Sequence, residues 1–386
     1  MLDMQLNLAM VAGETSGDLL ASLLLQGMHS RFSAVNAYGI GGERMCAESF
    51  RALWDSERLA VHGYSWEVIR RLREIFSIRT QLRQQLLSDR PDVFVGVDAP
   101  DFNLGLEMDL RASGIKTVHF VCPSIWAWRA NRVEKIRKAA DHVLCLFPFE
   151  PELLAQHGIA ATYVGHPLAS VIPMQVDTAA AKVRLGLNPV QQVLALLPGS
   201  RSAEVQYLAP TFVAAAALVR AQRPDVQIVV PVVPHHWERM QQVVCEAGAQ
   251  EWIKLLKGQS HEVLAACDCT LIASGTATLE AALFKRPMVI SYRMHPISWH
   301  LMRRKQLQSW VGLPNILCSD FVVPEILQNA ATPEALAAAS LDWLDAYRHA
   351  PTQIAQLQAR FTALHESLLR NTSFLAADAI EKLVAH

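Results

Sequence analysis

The sequence predicts an α/β protein built from two Rossmann-like domains in tandem. Three observations carry this prediction. The chain has 386 residues, more than the roughly 250 to 300 at which a single hydrophobic core stops growing. Short apolar runs alternate with helix-like stretches along most of its length, which is the pattern of parallel strands covered on both faces. The same opening, an apolar strand feeding a loop of small residues and then a helix, occurs near the N-terminus and again at the middle.

Taken in order, Leu6 to Ala12 is the first strand candidate; it runs into Gly13-Glu14-Thr15-Ser16-Gly17-Asp18 and the helical LLASLLLQGM. DVFVGV (92–97), TVHFVC (117–122) and HVLCLF (142–147) continue the first set of strands. Val193 to Leu197 opens the second set through Pro198-Gly199-Ser200-Arg201 into a helix around Glu204 to Arg220. QIVVPVV (227–233), CTLIAS (269–274) and PMVISY (287–292) follow. The expected domains are 1–170 and 188–345, with a linker between Pro167 and Asn188. The stretch 346–386 reads as helices without a strand, expected to pack back on the N-terminal lobe or on a partner chain. No solenoid repeat or low-complexity segment is present.

Composition narrows the function classes. Hydrophobic residues at 51% against 18% charged allow a large core, and a net charge of −1 removes any global attraction to nucleic acid or anionic lipid. No apolar run approaches the roughly 18 to 20 residues of a membrane span, and the start MLDMQLNLAMVAG lacks the basic region of a signal peptide. A cytoplasmic location is expected. The seven cysteines are scattered without a framework, as in a reducing compartment. Cys267 and Cys269 have no matching Cys/His pair, so no metal site is expected.

In open parallel sheets ligands bind beyond the carboxyl ends of strands, which directs attention to four loops. Ser274-Gly275-Thr276-Ala277-Thr278-Leu279-Glu280 follows a strand and opens a helix. Small residues there let backbone N–H groups and hydroxyls reach a phosphate at the helix N-terminus, and Glu280 could accept from ribose hydroxyls. The plainer alternative is a capped helix start. Gly199, Ser200 and Arg201 form a second small-residue turn with a guanidinium suited to a diphosphate, or merely a tight turn with a surface arginine. Two such loops in one half point to a nucleoside diphosphate. Neither GxxxxGK[ST] nor GxGxxG occurs, which disfavours kinase and dehydrogenase chemistry. In the first half, Gly13 to Asp18 could hold an acceptor. Asp98-Ala99-Pro100-Asp101 follows a strand, where a carboxylate can serve as general base or simply cap a turn.

Three surface features remain. From Ala281 to Ser319 there are six Lys or Arg and no Asp or Glu, together with Trp299 and Trp310. The segment Val61 to Phe76 sets Val68, Leu72 and Ile75 on one helical face beside arginines, a pattern of membrane-interface helices and equally of helices packed on their own domain. Trp126-Ala127-Trp128-Arg129 with Arg132 and Lys135 is a third aromatic and basic cluster.

These residues together resemble the lipid-A-disaccharide synthase family over essentially the whole chain. The resemblance rests on VAGETSGD (11–18), PDVFVGVDAPDFN (91–103), CPSIWAWR (122–129), FPFEP (147–151), VGHPLA (164–169), LPGSR with EV (197–205), SGTATLE (274–280), PMVISYR (287–293) and LPNIL (313–317), in this order. It implies an inverting glycosyltransferase of the two-lobed B architecture, without metal or other cofactor. The family's reaction joins UDP-2,3-diacylglucosamine to 2,3-diacylglucosamine 1-phosphate, giving tetraacyl disaccharide 1-phosphate and UDP.

The resemblance also implies roles. Asp98 would be the general base, with Asp101 in reserve. Gly199, Ser200, Arg201, Ser274, Gly275 and Thr276 would hold the departing UDP, Glu280 the ribose, and Asn315 would face the cleft on the donor side. Glu14, Ser16, Trp128 and Arg129 would line it on the acceptor side. A homodimer and peripheral contact with the cytoplasmic face of the inner membrane are implied as well, and no nucleic acid. The polar His62 and Ser65 beside Tyr64 and Trp66 depart from the family's more aliphatic patch.

Two rival classes stand beside this reading. One is another enzyme on the same scaffold, a UDP-N-acetylglucosamine epimerase or a lipid-linked peptidoglycan glycosyltransferase; the Asp98 loop and the WAWR cluster argue against both. The other is a non-catalytic sugar-nucleotide-binding module, whose mark would be loss of a site carboxylate or phosphate-loop residue, and none is lost.

Overall fold

The computed structural model describes residues 2–13, 15–59, 65–127, 132–295, 299, 303 and 307–385. They form two compact units: residues 1–167 with 367–386, and residues 168–366. The chain therefore leaves the first unit at Pro167 and returns to it at Ser367. The expected division at 170 and 346 is displaced accordingly. The expected linker contributes a helix to the second unit, and the C-terminal helices are shared between the units instead of forming one block.

Unit 1 holds seven parallel strands: β1 (Leu2–Ala12), β2 (Phe32–Gly41), β3 (Arg51–Asp55), β4 (Val93–Val97), β5 (Lys116–Phe120), β6 (His142–Cys145) and β7 (Ala161–Tyr163). Their spatial order is β3-β2-β1-β4-β5-β6-β7. The helices are α1 (Thr15–Arg31), α2 (Glu43–Ala47), α3 (Ser65–Asp89), α4 (Pro100–Ala112), α5 (Val133–Ala139) and α6 (Glu150–Ala155). Leu6 and Leu8 to Ala12 of β1 are fully buried, because both faces of the sheet are covered. Alternation divides them: Leu6, Leu8, Met10 and Ala12 join the core beneath α1, whereas Ala9 and Val11 join the core that includes Ile78, Leu82 and Leu86 of α3 and Leu106 and Leu110 of α4.

The short helix α7 (Pro167–Val171) begins the passage into unit 2, and α8 (Thr178–Arg184) follows. The second sheet contains β8 (Val193–Leu197), β9 (Gln227–Val232), β10 (Ile253–Lys257), β11 (Cys269–Ala273), β12 (Met288–Tyr292) and β13 (Glu325–Leu327). All its pairings are parallel, in the order β10-β9-β8-β11-β12-β13. Its helices are α9 (Ser202–Gln222), α10 (Trp237–Glu246), α11 (Ser260–Ala266), α12 (Thr276–Leu283), α13 (Leu313–Cys318), α14 (Pro333–His349) and α15 (Pro351–Leu368). By length and composition α9 could cross a membrane, but Val205, Leu208, Phe212 and Val219 bury one of its faces in this unit.

The last helix, α16 (Thr372–Val384), completes unit 1. Asn371 caps it by accepting from the Phe374 N–H at 3.0 Å. Ala376, Ala377 and Ile380 enter the same core as Leu24, Leu25 and Met28 of α1. At the rim Arg31 pairs with Asp378 at 3.3 Å and with Glu381.

Both sheets share one topological property that places the site. In each, the chain reverses its direction of winding between the first and fourth strands of the unit: β1 and β4 in unit 1, β8 and β11 in unit 2. At such a switch point the two following loops diverge to opposite faces and leave a crevice at the carboxyl ends. Ala12 lies level with Val97, and Leu197 with Ile272. The four loops singled out in the sequence are those that leave the two switch points.

Candidate active site

In unit 1 the loop after β4 turns sharply. Asp98 and Ala99 both adopt left-handed backbone conformations, with φ of 51° and 41°. Two successive residues without the freedom of glycine in that region cost on the order of 1 kcal/mol or more each. The conformation is held by the Asp98 N–H donating to the Phe120 carbonyl at 2.8 Å and by the Asn103 amide donating to the Asp98 carbonyl at 2.8 Å. The Asp98 carboxylate is half-buried and has no hydrogen bond or ion pair to a described residue. A carboxylate that is not already paired retains its capacity to accept a proton from a substrate hydroxyl.

Asp101 is placed differently. Its carboxylate is ion-paired to Arg132 at 2.6 Å, and its side chain is 83% exposed. It also sits in the first turn of α4. The Arg132 guanidinium already occupies the carboxylate that a substrate hydroxyl would need. Ser16 is exposed in the first turn of α1. Asp18, later in the same motif, is buried and caps α2 by accepting from the N–H groups of Gly42 at 2.9 Å, Arg44 at 3.0 Å and Met45 at 3.2 Å. Glu14, Trp128 and Arg129, residues 61–64 of the expected interfacial helix, and the side chains of its Val68 and Leu72 lie outside the described residues. Further along that helix Ile75 is half-buried and Phe76 is exposed.

Trp126 proves to be structural. Its ring is buried and its Nε1–H donates to Glu150 at 3.0 Å. It stands edge-on to Phe149 at 5.4 Å, and Phe147 stacks with His166 at 5.8 Å. Burial pushes the Glu150 carboxyl up to about 7 and the His166 imidazole down to about 4. Phe147, Phe149 and Glu150 of FPFEP thus pack around Trp126, and His166 of VGHPLA packs on Phe147.

In unit 2 the loop after β11 has the features of a phosphate cradle. Gly275 and Thr276 are exposed, no side chain caps α12, and nothing lies within 4 Å of where a Gly275 side chain would begin. The first N–H groups of that helix are open to an anion. Ser274 anchors the loop through its N–H to the Ser291 carbonyl at 2.9 Å and its hydroxyl to the Val311 carbonyl at 3.0 Å. Glu280 is half-buried and lies 3.5 Å from the His261 imidazole, whose basicity it raises.

The loop after β8 departs from the simplest phosphate-loop expectation. Glu204 turns back so that its carboxylate accepts from the N–H groups of Ser200 at 3.1 Å and Arg201 at 3.2 Å, and it pairs with the Arg201 guanidinium at 3.1 Å. What the loop presents outward is the Arg201 side chain, 80% exposed. The Ser200 carbonyl is engaged from the other side by the imidazoles of His236 at 2.9 Å and His235 at 3.3 Å. Neither histidine stood out in the sequence, and Glu204 appeared there only as the E of the E-V after LPGSR, with no role assigned.

Two expectations are corrected. Asn315 does not offer its amide to a ligand: it is fully buried, donating to the Val323 carbonyl at 2.9 Å and Glu325 at 2.8 Å. Its oxygen accepts from the N–H groups of Val322 at 2.9 Å and Val323 at 3.0 Å. With Glu325, which also accepts from the Val311 and Gly312 N–H groups at 2.9 Å, it braces the segment that anchors Ser274. Of the six basic residues after Ala281, read as wanting an anion, the first two are not available to one. Arg286 is buried against the carbonyls of Leu264 and Ala265, and Lys285 is buried against His365 at 2.6 Å. Among the described residues no cluster of His, Cys, Asp and Glu could hold a metal ion.

Comparison with known proteins adds the following. The family model described as lipid-A-disaccharide synthetase matches residues 8–380. A lipid-A-disaccharide synthase from Verminephrobacter eiseniae is 64% identical, covering 99% of this chain and 98% of that one. One from Albidiferax ferrireducens is 60% identical over 98% and 97%, and one from Burkholderia pseudomallei 50% over 98% and 97%. Among solved structures, a putative UDP-N-acetylglucosamine 2-epimerase from Listeria monocytogenes aligns with a TM-score of 0.64 at 12% identity, covering 99% of this chain and 95% of that one. An S. aureus MnaA structure containing UDP aligns at 0.64 and 11%, over 98% and 96%. At these identities the structures share the fold, two Rossmann-like units of the glycosyltransferase-B type.

Proposed function

The chain belongs to the lipid-A-disaccharide synthase family, and from that premise we propose how its residues divide the work of the reaction. It is a glycosyltransferase of lipid A biosynthesis. The match over residues 8–380, with relatives of that name at 50% to 64% identity, carries this. The donor is UDP-2,3-diacylglucosamine and the acceptor 2,3-diacylglucosamine 1-phosphate.

The donor is α-linked and the product β-1′,6, so the displacement occurs once, with inversion. The acceptor O6 forms a bond to C1 of the donor sugar as the bond from C1 to the diphosphate oxygen breaks. The O6 proton passes to a base, and the electron pair of the broken bond leaves with UDP. Asp98 is the base; its carboxylate at the first switch point, which makes no ion pair with a described residue, supports it over Asp101, which is ion-paired to Arg132. The open N-terminus of α12 with Ser274, Gly275 and Thr276, together with the Arg201 guanidinium, takes up the charge developing on the diphosphate. Glu280 receives the ribose hydroxyls, held in place by His261. This supply of N–H groups and a guanidinium lets the leaving group depart without a divalent cation.

The protein works at the cytoplasmic face of the inner membrane, where both lipid substrates present their sugars. The basic and apolar pattern beginning at Val61, with exposed Phe76, supports α3 as its membrane-facing element.

The test is to incubate purified protein with both monosaccharide lipids in detergent and measure disaccharide and UDP, in EDTA and in Mg²⁺. Turnover in both buffers is expected. Asp98→Ala should lower kcat by about 10² to 10⁴-fold, the contribution of a positioned base, with UDP affinity retained. Absence of disaccharide would refute the function; an undiminished Asp98→Ala variant would refute the base; strict dependence on Mg²⁺ would refute the leaving-group assignment.

A further inference from the structure

Beneath the Asp98 turn lies a polar cluster that the reaction, as described, does not use. Asn103 and Glu107 are one turn apart on α4, and both are fully buried. Glu107 Oε1 lies 2.7 Å from Nδ1 of His119 on β5, itself fully buried. Asn103 Oδ1, Glu107 Oε2 and His119 Nε2 have no hydrogen-bond partner among the described residues. Buried polar atoms are expensive to leave unsatisfied, so a cluster of this kind within one unit is not what packing alone would select.

Gly96 of β4 makes room for it. A side-chain carbon at Gly96 would lie 2.8 Å from Asn103 Cβ and 2.9 Å from its Cγ, and would collide with Glu107 Oε1. Asn103 and Glu107 therefore press against the backbone of β4, the strand that leads into Asp98. The Asn103 amide group points at two carbonyls, Asp98 at 2.8 Å and Val97 at 3.4 Å. The opposite amide orientation would set its oxygen against both, so the orientation is determined by its surroundings.

We propose that Asn103 is the positioning residue of the reaction: by holding the Asp98 carbonyl it keeps Asp98 and Ala99 in their left-handed turn and so aims the Asp98 carboxylate at the acceptor hydroxyl. Glu107, held by His119, shares the space over Gly96 with Asn103. A longer or shorter side chain at 103 would release the turn, and two residues in an unfavourable region would relax toward ordinary backbone angles. The carboxylate would then swing away from its station, and a misplacement of about 1 Å can cost about 10²-fold in rate. This inference rests on Asp98 being the base.

The experiment is a double-mutant cycle. Wild type, Asn103→Ala, Asp98→Ala and the double variant are compared for kcat, donor KM, UDP binding and thermal midpoint, with Asn103→Ser in place of Asn103→Ala if the latter does not fold. Asn103→Ala should lower kcat by about 10²-fold, leave UDP affinity within about twofold, and have no further effect in the Asp98→Ala background. Equal losses in both backgrounds would mean that Asn103 supports only the fold, and the proposal would fall. A kcat near that of wild type would overturn it as well. An active Asp98→Ala protein would remove the base assignment and this inference with it, whereas the family's reaction would stand as long as wild type forms disaccharide.

Discussion

Glu150 and His166 show how single residues set behaviour that no sequence motif announces. Both are buried in the aromatic cluster around Trp126 and Phe147, and burial displaces their protonation in opposite directions. The Glu150 carboxyl, raised to about 7, favours the folded state when protonated. Its contribution is full below its unfolded value near 4.5 and is lost as pH rises to 7. The His166 imidazole, lowered to about 4, favours the folded state when neutral. Its contribution is full above its unfolded value near 6.5 and is lost as pH falls to 4. Each amounts to on the order of 3 kcal/mol, since one pK unit corresponds to about 1.4 kcal/mol. Between pH 4.5 and 6.5 the two nearly cancel in the wild type. Substituting one uncovers the other: Glu150→Gln should gain stability between pH 4 and 6.5, and His166→Gln should lose it between pH 4.5 and 7. The difference between the two variants' urea midpoints across this range is the readout, because titrations elsewhere are common to both. Parallel profiles would show that the pair is not displaced as described. Both residues lie in motifs visible in the sequence, but their displaced protonation could not be read there, because the low-polarity environment that shifts them is assembled from separate strands and loops. Asn315 illustrates the same limit. An asparagine in a family motif invites a ligand role, and only its four hydrogen bonds to 322–325 reveal a brace.

At the level of elements much more was legible. The strands that form the middle of each sheet, β4, β8, β9, β11 and β12 and the second half of β1, are largely buried and write themselves as mostly apolar runs, whereas β5 buries Thr117 and His119 among its apolar residues. β2, β3, β7, β10 and β13 are toward or at the margins; they carry exposed or half-buried positions, or are only three residues long, and their signal is correspondingly weak. The loops after the central strands were legible for the same reason, being bounded by strong strands and punctuated by glycine. Which groups those loops present was not. The Ser200 and Arg201 N–H groups are occupied by Glu204, and that reversal depends on Gly199, whose φ of 115° is a conformation essentially restricted to glycine. An added Cβ there would also lie 2.5 Å from Glu204 Cβ and Oε2. Gly199→Ala is expected to cost about 1 to 3 kcal/mol in denaturant titrations and to weaken UDP binding by about tenfold as Arg201 loses its station, a loss of roughly 1.4 kcal/mol. Unchanged UDP affinity in a destabilised variant would mean that this loop does not touch the diphosphate.

For the molecule as a whole, two parallel-sheet units follow from the length and from the repeated opening, but their membership does not. Nothing in the amphipathic pattern of residues 351–384 distinguishes α15, most of which belongs to unit 2, from α16, which belongs to unit 1. The distinction resides in what each buries: α16 brings Ala376, Ala377 and Ile380 to the core under α1. A fragment of residues 168–366 is expected to fold cooperatively when expressed alone, whereas residues 1–167 without α16 should expose that face of α1 and bind a hydrophobic dye. A well-packed 1–167 fragment would contradict this. The asymmetry also orders events during synthesis. The ribosome finishes the discontinuous half first in sequence and last in substance, because roughly 200 further codons, on the order of ten seconds or more of elongation, separate Pro167 from the helix that seals it. In that interval the nascent N-terminal sheet is an open-faced intermediate, and a chaperone that shields apolar surface has its natural client there, while the intervening half matures beside it.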